Sequence, residues 1–137
     1  MADIKLHPYI FFKGTADESM KFYQSIFGGE LYRMTYKQAS VPAPEGLNDE
    51  SMMHISLSGG AVEVLASDTA LASPKAAKVS ISLSGDDEAL LTDVFNKLAV
   101  GADVQSPLKK EVWGDLFGSL TDKYGVEWMV NISQPKV

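Results

Sequence analysis

Two histidines, His7 and His54, are the only side chains in the 137 residues whose ordinary pKa lies near neutrality, and cysteine is absent. Without a thiol there is no thiolate metal site, no thiol nucleophile and no disulfide. Acid–base or metal chemistry therefore falls to these imidazoles and to carboxylates. Glu63 joins them by pattern. A Gly59-Gly60 pair between two alternating segments reads as a two-residue hairpin turn. That turn sets Ser58 against Ala61, Leu57 against Val62, Ser56 against Glu63 and His54 against Leu65. His54, Ser56, Glu63 and Leu65 then share one face, while Ile55, Leu57, Val62 and Val64 share the apolar one. A one-residue slip would bury Glu63 among the apolar set, a costly error. His7 alternates with Tyr9 and Phe11 on one face of the opening segment. His7, His54 and Glu63 are a chemically reasonable metal triad, but their spacing matches no short metal motif. The plainer reading makes His54 a hydrogen-bonded hairpin residue. His7, beside Pro8 at a strand start, needs no function at all.

The elements that must position these residues occur twice. Ile4 to Phe12 reads as a strand with Leu6, Pro8, Ile10 and Phe12 opposite His7, Tyr9 and Phe11. Thr15 and Glu18 have capping-box spacing. Met20, Tyr23, Ile26 and Phe27 stripe a helix over about 16–27, which Gly28-Gly29 ends. Glu30 to Tyr36 is a second strand, and 38–50, holding Pro42, Pro44, Gly46 and Asn48, is a long loop. Met52 to Ser58 and Ala61 to Ser67 are the hairpin strands, and a small-residue connector runs on to Lys75. Lys78 to Leu83 then opens the second half, with Lys78, Ser80 and Ser82 on one face. Asp86 to Leu98 is a helix striped by Leu90, Leu91, Val94, Phe95 and Leu98 and ended by Gly101. Ala102 to Gln105, a segment near Glu111 to Leu120, and Val126 to Ile132 follow as strands, the last pair joined at Asp122-Lys123-Tyr124-Gly125. Phe22 precedes Gly28 by the same interval as Phe95 precedes Gly101, and Val62-Glu63-Val64-Leu65 echoes Val126-Glu127-Trp128-Met129. Each half reads strand, helix, three strands. This is an internal repeat in an α+β fold, with module one over about 4–67 and module two over about 77–132 of a single domain spanning 1–137.

Composition narrows the partners. A net charge of −6 and a pI near 4.8 argue against nucleic acid, since neutralising phosphates takes clustered Lys and Arg and the longest cationic run is Lys109-Lys110. Met1-Ala2-Asp3-Ile4-Lys5 lacks the features of a signal peptide, and no apolar run approaches membrane-spanning length. A cytoplasmic protein with no membrane partner is expected. No Gly-rich phosphate-binding loop with its Lys and Ser/Thr and no Gly-x-Ser-x-Gly elbow occurs.

Two βαβββ units in one short chain resemble the vicinal oxygen chelate superfamily, which includes glyoxalase I, extradiol dioxygenases and bleomycin- and fosfomycin-resistance proteins. Three stretches look like its PhnB-like branch. The first is Pro8-Tyr9-Ile10-Phe11-Phe12 with Phe22-Tyr23 and Phe27-Gly28-Gly29, and the second is Met53-His54-Ile55 with Ala66-Ser67-Asp68. The third runs from Trp113-Gly114 through Phe117-Gly118 to Thr121-Asp122-Lys123-Tyr124-Gly125-Val126-Glu127-Trp128-Met129-Val130-Asn131. The resemblance covers nearly the whole chain, and its last stretch is the most specific. It implies two βαβββ modules forming a curled mixed sheet, a cup, with helices packed on the outer face, and a homodimer of such chains. Likeness of fold does not establish chemistry.

On that fold His7, Tyr9, Phe11, His54, Ser56, Ser80, Ser82, Glu127, Met129 and Asn131 face the cup. Val126, Trp128 and Val130 pack against helix, the Trp128 indole N–H needing a partner. Metal-using members of the superfamily draw His and Glu ligands from four inward positions. These match His7, Val64 or Leu65, Ser80 or Lys78, and Met129 here, and only His7 is a competent ligand. No metal or other cofactor is therefore expected, a divalent metal on His7, His54 and Glu63 being the alternative. The expected partner is a small organic molecule in an apolar cup, contacted by His7, Tyr9, Phe11, His54, Ser56, Trp113, Phe117 and Met129, with Trp113 at the mouth. The bland reading of Tyr9, Phe11, Trp113 and Phe117 is core or dimer contact. Glu63 and Glu127 are read as rim acids; deep and close together, burial and repulsion would make one a general acid or base. Some members of the branch carry a ubiquinone-pathway methyltransferase label, but nothing here resembles a cofactor site for methyl transfer. Binding without turnover is the expected function. The alternatives are a metal-dependent lyase, isomerase or dioxygenase, or an interaction role as a dimer.

Overall fold

Both repeats fold as the alternation predicts. A computed structural model describes residues 6–69, 79–111 and 113–135. The first repeat is β1 (Tyr9–Phe12), α1 (Ala16–Phe27), β2 (Glu30–Thr35), a short α2 (Tyr36–Ala39), β3 (Met52–Ser58) and β4 (Val64–Asp68). The second is β5 (Ile81–Gly85), α3 (Glu88–Leu98), β6 (Asp103–Lys110), β7 (Leu116–Thr121) and β8 (Glu127–Ile132). Each repeat builds its own four-stranded mixed sheet, in the orders β1-β4-β3-β2 and β5-β8-β7-β6, with one parallel pairing, β1·β4 and β5·β8. The chain divides into two units along this repeat, Met1–Ala76 and Ala77–Val137.

In the first unit α1 covers one sheet face. Its stripe of Met20, Tyr23 and Phe27 is buried against Phe12, Ile55, Leu57, Val64 and Ala66. Arg33 lies on that same face and ties β2 to α1 through Asp17 at 3.0 Å. In the second unit α3 sets Val94, Phe95 and Leu98 over Leu120, Trp128, Val130 and Ile132. Gly118 makes room there. A Cβ on it would stand 2.8 Å from the Phe95 ring.

Local expectations fail where a distant group wins. Thr15 precedes α1 but its side chain caps nothing; the Asp68 carboxylate, from the end of β4, accepts from Ala16 N at 2.9 Å and Gly14 N at 2.8 Å instead. Gly59-Gly60 is not a two-residue turn. β3 and β4 pair Leu57 with Val64, Ser56 with Leu65 and Ile55 with Ala66, two residues along from the predicted register. The hairpin tip docks on the end of α1: Ala61 N donates to Phe27 O at 3.1 Å, and a Cβ on Gly60 would meet the Gly28 backbone at 2.6 Å. Only glycine allows that approach. A shift of two keeps every side chain on its predicted face, but it leaves Val62 and Glu63 outside the ladder.

Other boundaries move less. The 38–50 loop begins as α2, opened by a capping box between Thr35 and Gln38. β1 starts at Tyr9, later than predicted; Ile4 and Lys5 lie outside the described residues, as do Lys78 and Val112. β6 is longer than predicted and takes in Pro107, which an edge strand with two register shifts tolerates. Among the described residues no helix is long and apolar enough to cross a membrane.

Candidate functional site

Each sheet has one face that the helix of its own unit leaves uncovered, and the predicted site residues on strands lie there. In the first unit, pairing places Tyr9, Leu65, Ser56 and Tyr32 in one row across β1, β4, β3 and β2. Phe11 stands opposite Ser67, and His54 opposite Met34, on the same face. Tyr9, Phe11 and Tyr32 are 41%, 61% and 58% exposed, far from the near-zero values of the helix-packed residues. The Tyr9 ring stacks on Phe11 at 5.1 Å with 24° between planes, and it meets the His54 ring, tilted by 53°, at 5.8 Å. Its hydroxyl lies 3.0 Å from His54 Nδ1. Partial burial, with Tyr36 adding, pushes the Tyr9 hydroxyl above its ordinary 10.0, so it is neutral at physiological pH.

The second unit's open face is chemically different. Rows of Ser82, Met129, Ser119 and Ser106 and of Ser84, Asn131, Phe117 and Lys109 cross it. Glu127 closes it at one end, exposed and receiving Ser80 Oγ at 3.4 Å. Trp113 is 57% exposed yet held: its Nε1 donates to Asn131 Oδ1 at 3.3 Å, and its ring meets Phe117 edge-on at 5.8 Å. Asn131 is fixed in turn by donating Nδ2 to Asp115 Oδ2 at 3.1 Å. An indole set by packing and by a hydrogen bond has little rotamer freedom left to lose when something lies against it.

The structure brings together some candidates and parts others. His7 Nδ1 and Glu63 Oε2 stand 3.4 Å apart, both partly exposed, while His54 takes Tyr9 as its partner. The two acids proposed for general acid or base work, Glu63 and Glu127, are both exposed, each with a partner in its own unit. Sequence reasoning missed two buried carboxylates. Asp68 is 1% exposed and gathers Gly14 N, Ala16 N and Met52 N. Asp122, 4% exposed, accepts from Tyr124 N and Val126 N through Oδ1 and from Trp128 Nε1 through Oδ2. Both fasten turns and strand ends. The available signal was an Asp ending an apolar strand, and an Asp opening a tight turn six residues before a tryptophan. A shallow cleft lined by Lys13, Glu45, Gly46, Leu47 and Thr69 lies beside the β1–α1 turn.

The metal that the superfamily implies can be tested against these donors. Val64 belongs to the helix-packed face at 2% exposure, so the inward position there is Leu65. Ser80 donates to Glu127, and Met129 stands half-buried on the open face. Among the described residues no group of three or more His, Cys, Asp or Glu side chains is placed to hold a metal ion. A thioether and an aliphatic chain offer no hard donor. The residues present do not fit the group.

Comparison with known proteins agrees with this architecture. The family model described as 3-demethylubiquinone-9 3-methyltransferase matches residues 4–131. Protein PA1353 of Pseudomonas aeruginosa is 34% identical, with 97% of this chain and 100% of that chain covered and a TM-score of 0.81. Protein YjdN of Escherichia coli (strain K12) is 27% identical over 93% of this chain and 94% of its own. Two further structures are alike in fold alone. The Bacillus cereus PhnB protein is 24% identical over 95% of this chain and 100% of its own, with a TM-score of 0.74. The fosfomycin resistance protein FosX of Listeria monocytogenes, complexed with Mn(II) and sulfate, is 12% identical over 98% and 95%, with a TM-score of 0.63.

Proposed function

The chain belongs to the 3-demethylubiquinone-9 3-methyltransferase family, the PhnB-like branch of the glyoxalase and bleomycin-resistance superfamily, and on that premise we propose that it binds a small organic molecule without the metal of its metal-using relatives. One observation carries the reading. The uncovered face of the first sheet exposes Tyr9, Phe11 and Tyr32, and Tyr9 is hydrogen-bonded there to His54. An apolar surface with a few placed polar groups is the usual make-up of a small-molecule site. Stacking on such rings contributes about 0.5–1.5 kcal/mol per pair beyond area burial. Fosfomycin resistance and Mn(II) in FosX mark one use of the fold; here Leu65, Ser80 and Met129 supply no matching ligand set.

The family description names methyl transfer, and the first unit's helix start weighs against a cofactor held there by its anionic groups. Backbone amides at a helix N-terminus are the usual anion cradle. Those of Gly14 and Ala16 are already taken by Asp68. Binding without turnover is the reading proposed, and the metal-dependent lyase, isomerase or dioxygenase reading is the competitor.

Thermal-shift and ligand-observed NMR screens of small organic molecules, run on metal-stripped protein and on protein reloaded with Zn²⁺, Ni²⁺, Mn²⁺ or Fe²⁺, separate the two. Hits on metal-free protein that weaken in Phe11→Ala are expected. Hits that need the metal, with stoichiometric loading abolished by His54→Ala, would overturn the reading in favour of an enzyme. The proposal extends to a homodimer, and sedimentation of a monomer at micromolar concentration would remove that part.

A further inference from the structure

We infer that His54 presents its Nε2–H as a fixed hydrogen-bond donor on the aromatic face of the first sheet, so that the ligand taken there is a planar aromatic molecule carrying an acceptor oxygen. The inference rests on the small-molecule reading above and names its ligand class. The geometry begins with the 3.0 Å contact between the Tyr9 hydroxyl and His54 Nδ1. A neutral imidazole has one donor and one acceptor nitrogen, and the partner of Nδ1 decides which is which. The Tyr9 hydroxyl keeps its proton, held there by partial burial. A phenol donates better than it accepts, and an unprotonated ring nitrogen is a strong acceptor. Among the described residues the Tyr9 hydroxyl has no other hydrogen-bond partner to receive its proton. Tyr9 therefore donates to Nδ1, and the ring proton of His54 sits on Nε2.

That Nε2–H has no protein acceptor among the described residues. Around it the ladder positions Tyr9, Leu65, Ser56 and Tyr32, with Phe11 and Met34, carry no charge. A ring laid against Tyr9 and Phe11 would meet stacking surface and one directed donor. A carbonyl, phenolate or carboxylate oxygen satisfies that donor, whereas an ammonium would face it with a second donor. Tyr9 acts here as a positioning residue for His54.

Long-range ¹H–¹⁵N correlation spectra of the imidazoles test the first half, with His7→Gln assigning the two histidines. His54 is expected in the Nε2–H form in the wild type and as a mixture in Tyr9→Phe, which keeps the ring and the packing. Benzoate and benzylamine, one ring with opposite poles, test the second half by ligand-observed NMR. Benzoate is expected to bind, benzylamine to bind about tenfold more weakly or not at all, and His54→Phe to cost benzoate about tenfold, the worth of one charge-assisted hydrogen bond. His54→Gln, whose amide N–H reaches the place of Nε2–H, should restore part of that loss. An Nδ1–H tautomer in the wild type, or benzylamine binding as well as benzoate, overturns the inference while leaving a small-molecule site standing. Binding of neither probe, together with a failed screen on metal-free protein, overturns both.

Discussion

Replacing Asp122 by Ala should be among the most damaging single changes to the second unit, although the residue is not itself a candidate ligand contact. The carboxylate accepts from Trp128 Nε1 at 2.8 Å, Tyr124 N at 2.9 Å and Val126 N at 3.0 Å. Trp128 is 1% exposed, so the substitution takes a charged acceptor away from a buried indole N–H, a cost of about 1–3 kcal/mol. The two amides belong to a turn that water can reach, so losing their charged acceptor adds about 1 kcal/mol. The expected loss is about 3 kcal/mol, a large share of the roughly 5–15 kcal/mol that holds a domain together. Asp122→Asn keeps one acceptor oxygen but sets an N–H₂ group against a donor, and should lose about half as much. Urea denaturation gives the totals, and a double-mutant cycle with Trp128→Phe isolates the buried bond. That cycle should return a coupling of about 1.5–3 kcal/mol. Asp122→Ala within 1 kcal/mol of wild type, or a coupling near zero, would refute the claim that the turn motif is structural.

The remaining expectations concern one packing contact and one titration. Gly118→Ala puts a methyl group 2.8 Å from the Phe95 ring and 3.1 Å from the Leu108 amide, and should cost about 1–3 kcal/mol in urea denaturation; adding Phe95→Leu should recover much of it, and no recovery would place the strain at the backbone. Tyr9 ionises in the folded protein above the unfolded value of 10.0, so its contribution to stability is constant below about pH 10 and is lost as pH rises through the folded pKa. Absorbance at 295 nm should therefore show a late step that Tyr9→Phe removes; an unchanged titration curve in the variant would count against the partial burial of that hydroxyl.

The fold was legible wherever a period of two or 3.6 governed the residue choice. α1 occupies the predicted span, and β8 alternates as read, with Trp128, Val130 and Ile132 inside. What could not be read was contact at long sequence separation. Thr15 has every local qualification as a cap, and it loses to Asp68 because β1 and β4 pair in parallel and carry that carboxylate to the helix start. Gly59-Gly60 has the composition of a tight turn, yet it is the missing side chain of Gly60 that lets the hairpin tip dock on Gly28. Locally the two uses of a glycine pair are indistinguishable.

The site was legible to the level of faces and no further, because a strand's parity survives an even register error while its neighbours do not. His54, Ser56 and Leu65 kept their face through a shift of two, but Glu63 left the sheet and took His7 as its partner. The proposed triad thereby separated into two pairs, His7 with Glu63 and Tyr9 with His54, which periodicity alone had no means of choosing. Within the most family-specific stretch, Trp113 to Asn131, the segment from Thr121 to Trp128 is occupied by the Asp122 turn and its indole. The ligand chemistry rests on quieter positions: a tyrosine and a histidine, far apart in sequence, on adjoining rows of one open sheet face.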